Sequence, residues 1–341
     1  MQVLTKMDKD LASPLSDNAA GDDSFADAIP VVFACDENYA VYLPAVIASL
    51  ADNASSARHY EIIIMDCSRD SHVHIFSEII DALRKQLSSK PNFCLRIIRV
   101  RESLEKMGFM PKDDFRLQRW GYATYARLLI PELLSAYEKA LYLDIDKVIL
   151  HDIAELFAHP MGDNWVAALP DFSVSYSRLL DNSERKKQIE NILKLSDFDC
   201  YVVASPLLLN LVKCREHKFS EKVCAFLSRE QNCPFGDQDA INAVCKGHIA
   251  YLPQKWGLMN MGGYVMECEK RKAEIDLRGK DELAKSFDSI ASDWTEASKD
   301  PYIIHYSSSV KPWGDIDIYL GHFGWDYAVK TAFSAQYNYL Y

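Results

Sequence analysis

The chain has 341 residues, 49% of them hydrophobic and 26% charged, which is the composition of a soluble globular protein able to bury a large core. Its 38 basic against 49 acidic residues leave a net charge of −11, which argues against a nucleic-acid partner and gives no pull toward anionic lipid. No apolar run reaches the roughly 18 residues of a membrane span, and nine dispersed cysteines without a C-x-x-C pair read as reduced thiols, not a disulfide framework.

Residues 1–28 are rich in Asp, Ser and Ala and lack the basic start and apolar centre of a secretory signal, so they read as a disordered lead-in to a cytoplasmic protein. The fold begins with a strand-like run at 29–35, stopped by Asp36-Glu37-Asn38-Tyr39. Val41, Leu43, Val46, Ile47 and Leu50 then recur at helical spacing up to Asn53. Asn53-Ala54-Ser55 is a glycosylation sequon, which matters only if the chain enters a secretory compartment. A strand at 61–65, an amphipathic helix over 70–87 and a strand at 93–100 follow. This alternation, about 30 residues per repeat, predicts an α/β fold with a doubly wound, mostly parallel sheet. No G-x-G-x-x-G follows the first strand and there is no Walker A loop, so a nicotinamide or P-loop site is not expected. His72 and His74 fall two apart on the 70–87 helix and face different ways, which discounts them as a metal pair.

Residues 122–134 read as a helix ended near Pro131, leading into 139–150, KALYLDIDKVIL. Its apolar run has the character of a strand buried on both faces, and Asp144 and Asp146, two apart, would share one side of it. At the carboxyl edge of an open α/β sheet, such a pair suits a hard divalent cation and its phosphates; read alone, it equally suits a helix cap or a solvated loop. A short strand at 165–170 ends in Asp171, and 173–195 is a polar, helix-compatible insertion. The apolar run 201–211 must be core, although Pro206 argues against an uninterrupted central strand. A helix at 213–229, a turn at Pro234-Phe235-Gly236 and a short helix opening with Asp237-Gln238-Asp239 come next. Residues 270–300 are charged and poorly periodic, and a last strand is expected at 302–306. These elements read as one domain over 29–315 with an aromatic tail at 316–341.

Four separated segments resemble the family-8 retaining glycosyltransferases, which include bacterial lipooligosaccharide galactosyl- and glucosyltransferases: Phe33 to Tyr39; Thr124-Tyr125-Ala126-Arg127-Leu128 with Leu141 to Asp146; Asp237-Gln238-Asp239; and His305-Tyr306 with Lys311-Pro312-Trp313. The resemblance implies a GT-A fold, Rossmann-like, with UDP-galactose or UDP-glucose as donor, a glycan or glycolipid acceptor, and Mn2+ as the metal, with Mg2+ as its alternative. Carried over by position, Asp144, Asp146 and His305 would be the metal ligands, with Asp144 and Ile145 also at the donor. Lys311 would add charge at the diphosphate. Ala34, Asp36, Asn38 and Tyr39 would hold the uridine, Tyr39 by stacking. Arg127, Asp171 and Asp237 would grip donor-sugar hydroxyls, and Gln238 would lie nearest the reacting carbon. Because glutamine is a poor nucleophile, the resemblance favours front-face departure, with Asp237 or Asp239 as a transient nucleophile in the alternative.

Two departures matter. Val203 stands where many members carry an Asn, and Ser308 where the last motif carries a glycine. They sustain a second reading, a nucleotide-sugar-binding protein without turnover. A metal-dependent phosphohydrolase would need a second ligand cluster, and the sequence supplies none. The aromatic tail (Tyr319, Phe323, Trp325, Tyr327, Phe333, Tyr337, Tyr339 and Tyr341) suggests peripheral contact with the inner face of a membrane.

Overall fold

The computed structural model describes residues 27–108, 114–180, 183–272, 274–275, 277–315 and 317–332. The lead-in expected at 1–28 therefore falls outside the described residues except for 27 and 28, and Phe333, Tyr337, Tyr339 and Tyr341 of the tail lie wholly outside them.

A seven-stranded sheet runs in the order β3-β2-β1-β4-β7-β6-β8. Its strands are β1 (Ile29–Cys35), β2 (Tyr60–Asp66), β3 (Phe93–Arg99), β4 (Lys139–Tyr142), β6 (Val166–Pro170), β7 (Val202–Asn210) and β8 (Ile249–Tyr251). Every pairing is parallel except those of β7, which runs antiparallel to both β4 and β6. Helices cover both faces, so the central strands are apolar on both sides. Val31 and Phe33 of β1 join Leu141 and Leu143 in one core, while Val32 and Ala34 join Ala140 and Tyr142 in the other. This is the GT-A architecture expected for the chain.

The first three strands and the helices Leu43–Asn53 and Val73–Leu87 fall where the periodicity places them. Asn53 donates its side-chain amide to the carbonyls of Ser49 and Ile149 and to Tyr327 Oη (2.9–3.0 Å), so the sequon asparagine is a structural tie.

Three expectations need correction. The run 139–150 is not one strand: β4 stops at Tyr142, and β5 (Lys147–Ile149) belongs to a second sheet, β5-β10-β9, with β9 at Leu258–Met259 and β10 at Ile303–His305. Asp144 and Asp146 thus lie in the crossing between sheets and do not owe their shared direction to a strand face.

Pro206, second, does sit inside a central strand. Between Ala168↔Leu207 and Pro170↔Val202, two steps of β6 face five of β7, and β4 pairing ends at Leu207. The ladder is open at Ser205-Pro206, so the missing N–H costs nothing there. The same irregularity shifts the face alternation: Val202 and Ala204 share a core with Leu207 and Leu209, not with Leu208.

Third, the stretch 270–300 holds the 17-residue helix Asp281–Ala297. Leu283, Phe287, Ile290, Ala291, Trp294 and Ala297 form its buried stripe, packed on the helix Phe172–Leu179. Where described, part of the aromatic tail packs internally. Phe323 and Tyr327 pack on Val148, Ile304 and Tyr306, and Tyr306 Oη donates to the Leu320 carbonyl at 2.8 Å.

Candidate active site

The carboxyl ends of β1 and β4, the bulged half of β7 and the segment after β10 enclose a cleft of about 540 Å³. Of the residues the sequence singles out, Ala34, Asp36, Tyr39, Arg127, Asp144, Ile145, Asp146, Asp171, Asp237, Gln238, His305 and Lys311 line it. Asn38 does not. Its side chain is exposed, and its backbone N–H, like that of Tyr39, donates to Asp36 Oδ1 in a local turn (3.0 and 3.1 Å).

The crossing between sheets aims the acidic pair. Ile145 buries its side chain beside Leu141 and Leu143, while the flanking carboxylates turn toward β10. There His305 Nε2 lies 3.3 Å from Asp146 Oδ1 and 3.7 Å from Asp144 Oδ2. One donor atom from each of the three residues can be chosen so that all lie within 4.8 Å of one another. Asp146 Oδ1 and His305 Nδ1 are buried and make no hydrogen bond among the described residues, an arrangement that costs stability unless something else takes them up. Two carboxylates and an imidazole are a suitable donor set for Mn2+ or Mg2+, so these residues fit a divalent cation. Burial and neighbouring Lys147 push the His305 imidazole down, toward the neutral form a ligand must have. Burial works to raise the Asp146 carboxyl, but His305, Lys311 and Lys147 outweigh it and hold it well below the usual range.

Arg127 is buried at the centre of the cleft wall. Its Nη2 donates to Asp144 Oδ1 (2.8 Å), Nη1 to the Ala204 carbonyl (2.9 Å) and Nε to the Thr124 carbonyl (3.0 Å), with Asp237 Oδ2 3.1 Å from Nε. Its guanidinium lies over the Tyr142 ring, whose hydroxyl donates to Asp144 Oδ1 at 3.0 Å. Arg127 thus lines the cleft and clamps Asp144 to Asp237. Gln238 is fixed at both ends: Nε2 donates to Asp171 Oδ2 and Tyr201 Oη (3.2 Å each), and Oε1 accepts from the Ala204 N–H (3.1 Å). Asp171 also caps the helix Phe172–Leu179 by accepting from the Val174 N–H at 3.1 Å. Gly236, at φ +50°, turns the chain into the helix Asp237–Val244; a Cβ there would fall 2.5 Å from Tyr125 Oη, so only glycine fits.

Asp239 is removed from the chemistry. It is fully buried, bonded to Arg185 and Tyr201 (2.7 Å each), and does not line the cleft, so it cannot reach a sugar. Beside the cleft, Trp313 stacks on Tyr42 at 4.0 Å with Tyr39 edge-on to both rings. Val203 and Ser308 line the cleft. Ser308 is not among the residues with positive φ, so its backbone does not need glycine.

Sequence reasoning missed Ser205 and Lys147. Ser205 Oγ accepts from the Asp144 N–H at 2.8 Å, and its carbonyl accepts from Lys147 Nζ at 3.1 Å; the bulge at Pro206 is what turns both groups toward the crossing. Lys147 is only 3% exposed. The signal for it was a lysine opening an apolar strand directly behind two carboxylates.

The sequence matches the glycosyl transferase family 8 profile over residues 30–317. The chain belongs to glycosyl transferase family 8. Among curated proteins, this family 8 chain is 27% identical over 227 residues to a putative glycosyltransferase of Haemophilus influenzae, spanning 66% of the chain and 62% of that relative. It is 25% identical over 302 residues to a lipopolysaccharide 1,2-glucosyltransferase of Escherichia coli K12, spanning 86% of the chain and 75% of that relative. Its fold superposes on the galactosyltransferase LgtC, solved with donor and acceptor sugar analogs, with a TM-score of 0.67 at 23% identity, covering 89% of this chain and 96% of that one.

One consequence for this family 8 protein concerns pH. Burial pushes Asp237 up to about 6 from an ordinary 3.8, with Arg127 opposing and Asp144 adding to it. A carboxyl with a raised folded value stabilises while protonated, and that stability is lost as pH climbs through the window from about 4 to 6. Asp237→Asn should therefore match wild type near pH 4 and gain on it by up to about 3 kcal/mol at pH 7.5. Paired thermal melts across that range check it; a constant offset between the two proteins would refute it.

Proposed function

We propose that the chain is a retaining hexosyltransferase that moves galactose or glucose from a UDP-sugar to a glycan acceptor of the lipopolysaccharide or surface-glycan kind. The observation that carries this reading is the convergence of Asp144, Asp146 and His305 in a cleft that also holds Lys311 and Gln238. Asp144, Asp146 and His305 would hold Mn2+ or Mg2+. When bound, such an ion supplies Lewis-acid stabilisation of the charge on the departing diphosphate.

The chain's own residues supply the rest. Lys311 Nζ, now 2.6 Å from Asp146 Oδ2, carries a compact charge on a flexible stem and can be transferred to a phosphate oxygen. Tyr39, Tyr42 and Trp313 offer an aromatic edge for the uridine. Gln238, held at both ends of its amide, fixes the position of the reacting carbon but offers no anionic nucleophile. Asp237 is buried against Arg127, which dampens its nucleophilicity. Both facts favour front-face departure, in which the acceptor hydroxyl enters from the side UDP leaves and its proton passes to the β-phosphate oxygen. The names of the Escherichia coli relative and of the LgtC complex support a glycan acceptor.

We place the protein in the cytoplasm, in keeping with nine free cysteines; no described helix is long and apolar enough to cross a membrane. Peripheral attachment through the tail is tested by liposome flotation of the full chain against a 1–318 truncation, where equal binding ends the idea. The function itself is tested by incubating the protein with UDP-galactose or UDP-glucose, Mn2+ and a lipooligosaccharide acceptor, and reading the product by NMR. An α-linked product from one donor is the expected result. Metal-dependent UDP binding without turnover of either donor would instead favour the nucleotide-sugar-binding reading, for which the apolar Val203 in the cleft wall is the structural motive.

A further inference from the structure

The acidic pair is already neutralised by the protein. Around the candidate ligands Asp144, Asp146 and Asp237 meet Arg127, Lys147 and Lys311, while Asp36 and Asp171, which also line the cleft, accept hydrogen bonds of their own from backbone N–H groups. Arg127 pairs with Asp144 and Asp237, Lys311 with Asp146, and within this group three charges stand against three. A site built to take a divalent cation by itself would leave its ligand carboxylates unmatched; here each is met by a cation.

The cations differ in freedom. Lys311 follows β10 on an irregular segment, and although its Nζ holds both Asp146 and the Tyr306 carbonyl, its side chain is 14% exposed against 3% for Lys147, so it has room to reach an arriving phosphate. Lys147 has no such room. It opens β5, is 3% exposed, and its Nζ is bonded to the Ser205 carbonyl. It pairs directly across the antiparallel ladder with His305, and residues directly opposite in such a ladder present their side chains to the same face. The Lys147 amine, drawn down to about 8 by burial and supported in its charged form by Asp144 and Asp146, therefore stands fixed next to the three candidate ligands. A dication entering alone would leave this group with two surplus positive charges, whereas a dication entering with a nucleoside diphosphate would not, because the diphosphate brings about three negative charges of its own.

We infer that Lys147 is a positioning residue that makes metal binding conditional on the nucleoside diphosphate: the site takes the metal together with the diphosphate and rejects the metal alone. The inference rests on the metal-assisted transferase reading above, and it concerns the order and coupling of binding, which that reading leaves open.

The test is calorimetric titration of Mn2+ into the full chain, with and without saturating UDP, for wild type, Lys147→Met and Lys147→Arg. Wild type should bind Mn2+ alone at least about tenfold more weakly than in the presence of UDP. Lys147→Met should tighten binding of Mn2+ alone by about tenfold or more, since the opposing charge is gone. Lys147→Arg keeps the charge and should stay within a few-fold of wild type. Thermal melts give a second readout: Mn2+ alone should raise the midpoint of Lys147→Met and leave that of wild type unmoved. Equal affinity of all three proteins for Mn2+ alone would overturn the inference, as would tightening in Lys147→Arg as large as in Lys147→Met. Failure of wild type to bind UDP in Mn2+ would instead sink the transferase reading, and the metal-alone comparison still decides on Lys147 in that case.

Discussion

Asp146→Asn should lower transfer turnover by at least about a hundredfold, the loss typical when a pre-organised charge on a reacting centre is removed. The amide keeps the size of the side chain and can still accept from Lys311, so the substitution tests charge in place of shape. Asp146 Oδ1 is a buried oxygen without a hydrogen bond, 3.3 Å from His305 Nε2, and replacing the ionised group removes one of the two anionic donors of the set. The fold should survive, because Lys311 can turn its ammonium toward solvent once its ionic partner is gone. Two measurements separate these effects: steady-state transfer for turnover, and UDP titration in Mn2+ for donor binding, both accompanied by a melt. Turnover within tenfold of wild type in a folded variant would mean that Asp144 and Asp146 have been misread.

Arg127→Met should be the more damaging change for the fold, costing about 3–5 kcal/mol, the range for removing one partner of a buried ion pair. Arg127 is 5% exposed and serves Asp144, Asp237 and two backbone carbonyls at once. Without it, two carboxylates face each other across an apolar wall. Lysine should not rescue the loss, since a single ammonium cannot reproduce the planar fork that meets four acceptors. Adding Asp237→Asn to Arg127→Met should recover part of the stability, because one of the stranded charges is then absent. Urea denaturation of the wild type, both single variants and the double variant measures the coupling; strictly additive losses would show that Arg127 and Asp237 do not act as a pair.

What could be read in advance followed from how locally each feature is encoded. The strands β1, β2 and β3 are unbroken apolar runs between polar stops, and their bounds in the structure lie within a residue or so of those the sequence implies. The helix Asp281–Ala297 escaped because acidic and basic side chains crowd between Leu283, Phe287, Ile290 and Trp294, so the stripe is visible only when counted at helical spacing. Pro206 was weighed by a rule for regular ladders, and β7 is irregular at that point.

The site divides in the same way. The resemblance names Asp144, Asp146 and His305, and the structure brings them together, but the two aspartates do not share a strand face. They converge through the change of sheet after Tyr142, a tertiary event. Which partner Arg127 would choose is likewise decided by a fold that brings Asp144 and Asp237 to its two sides, and no local pattern holds that information. Lys147 looked like an ordinary strand lysine until β10 placed His305 opposite it.

That pairing of β5 with β10 also bears on when the protein becomes competent. Lys311 and Asp146 stand 165 residues apart in sequence, and the strand that delivers His305 is the last of the ten among the described residues. Since a chain emerges and folds from its amino end during synthesis, the acidic half of the site is in place long before its partners have been translated. A chain cut short before β10 therefore holds most of the sheet and both aspartates but lacks His305 and Lys311, so the three candidate ligands come together only once β10 has been made.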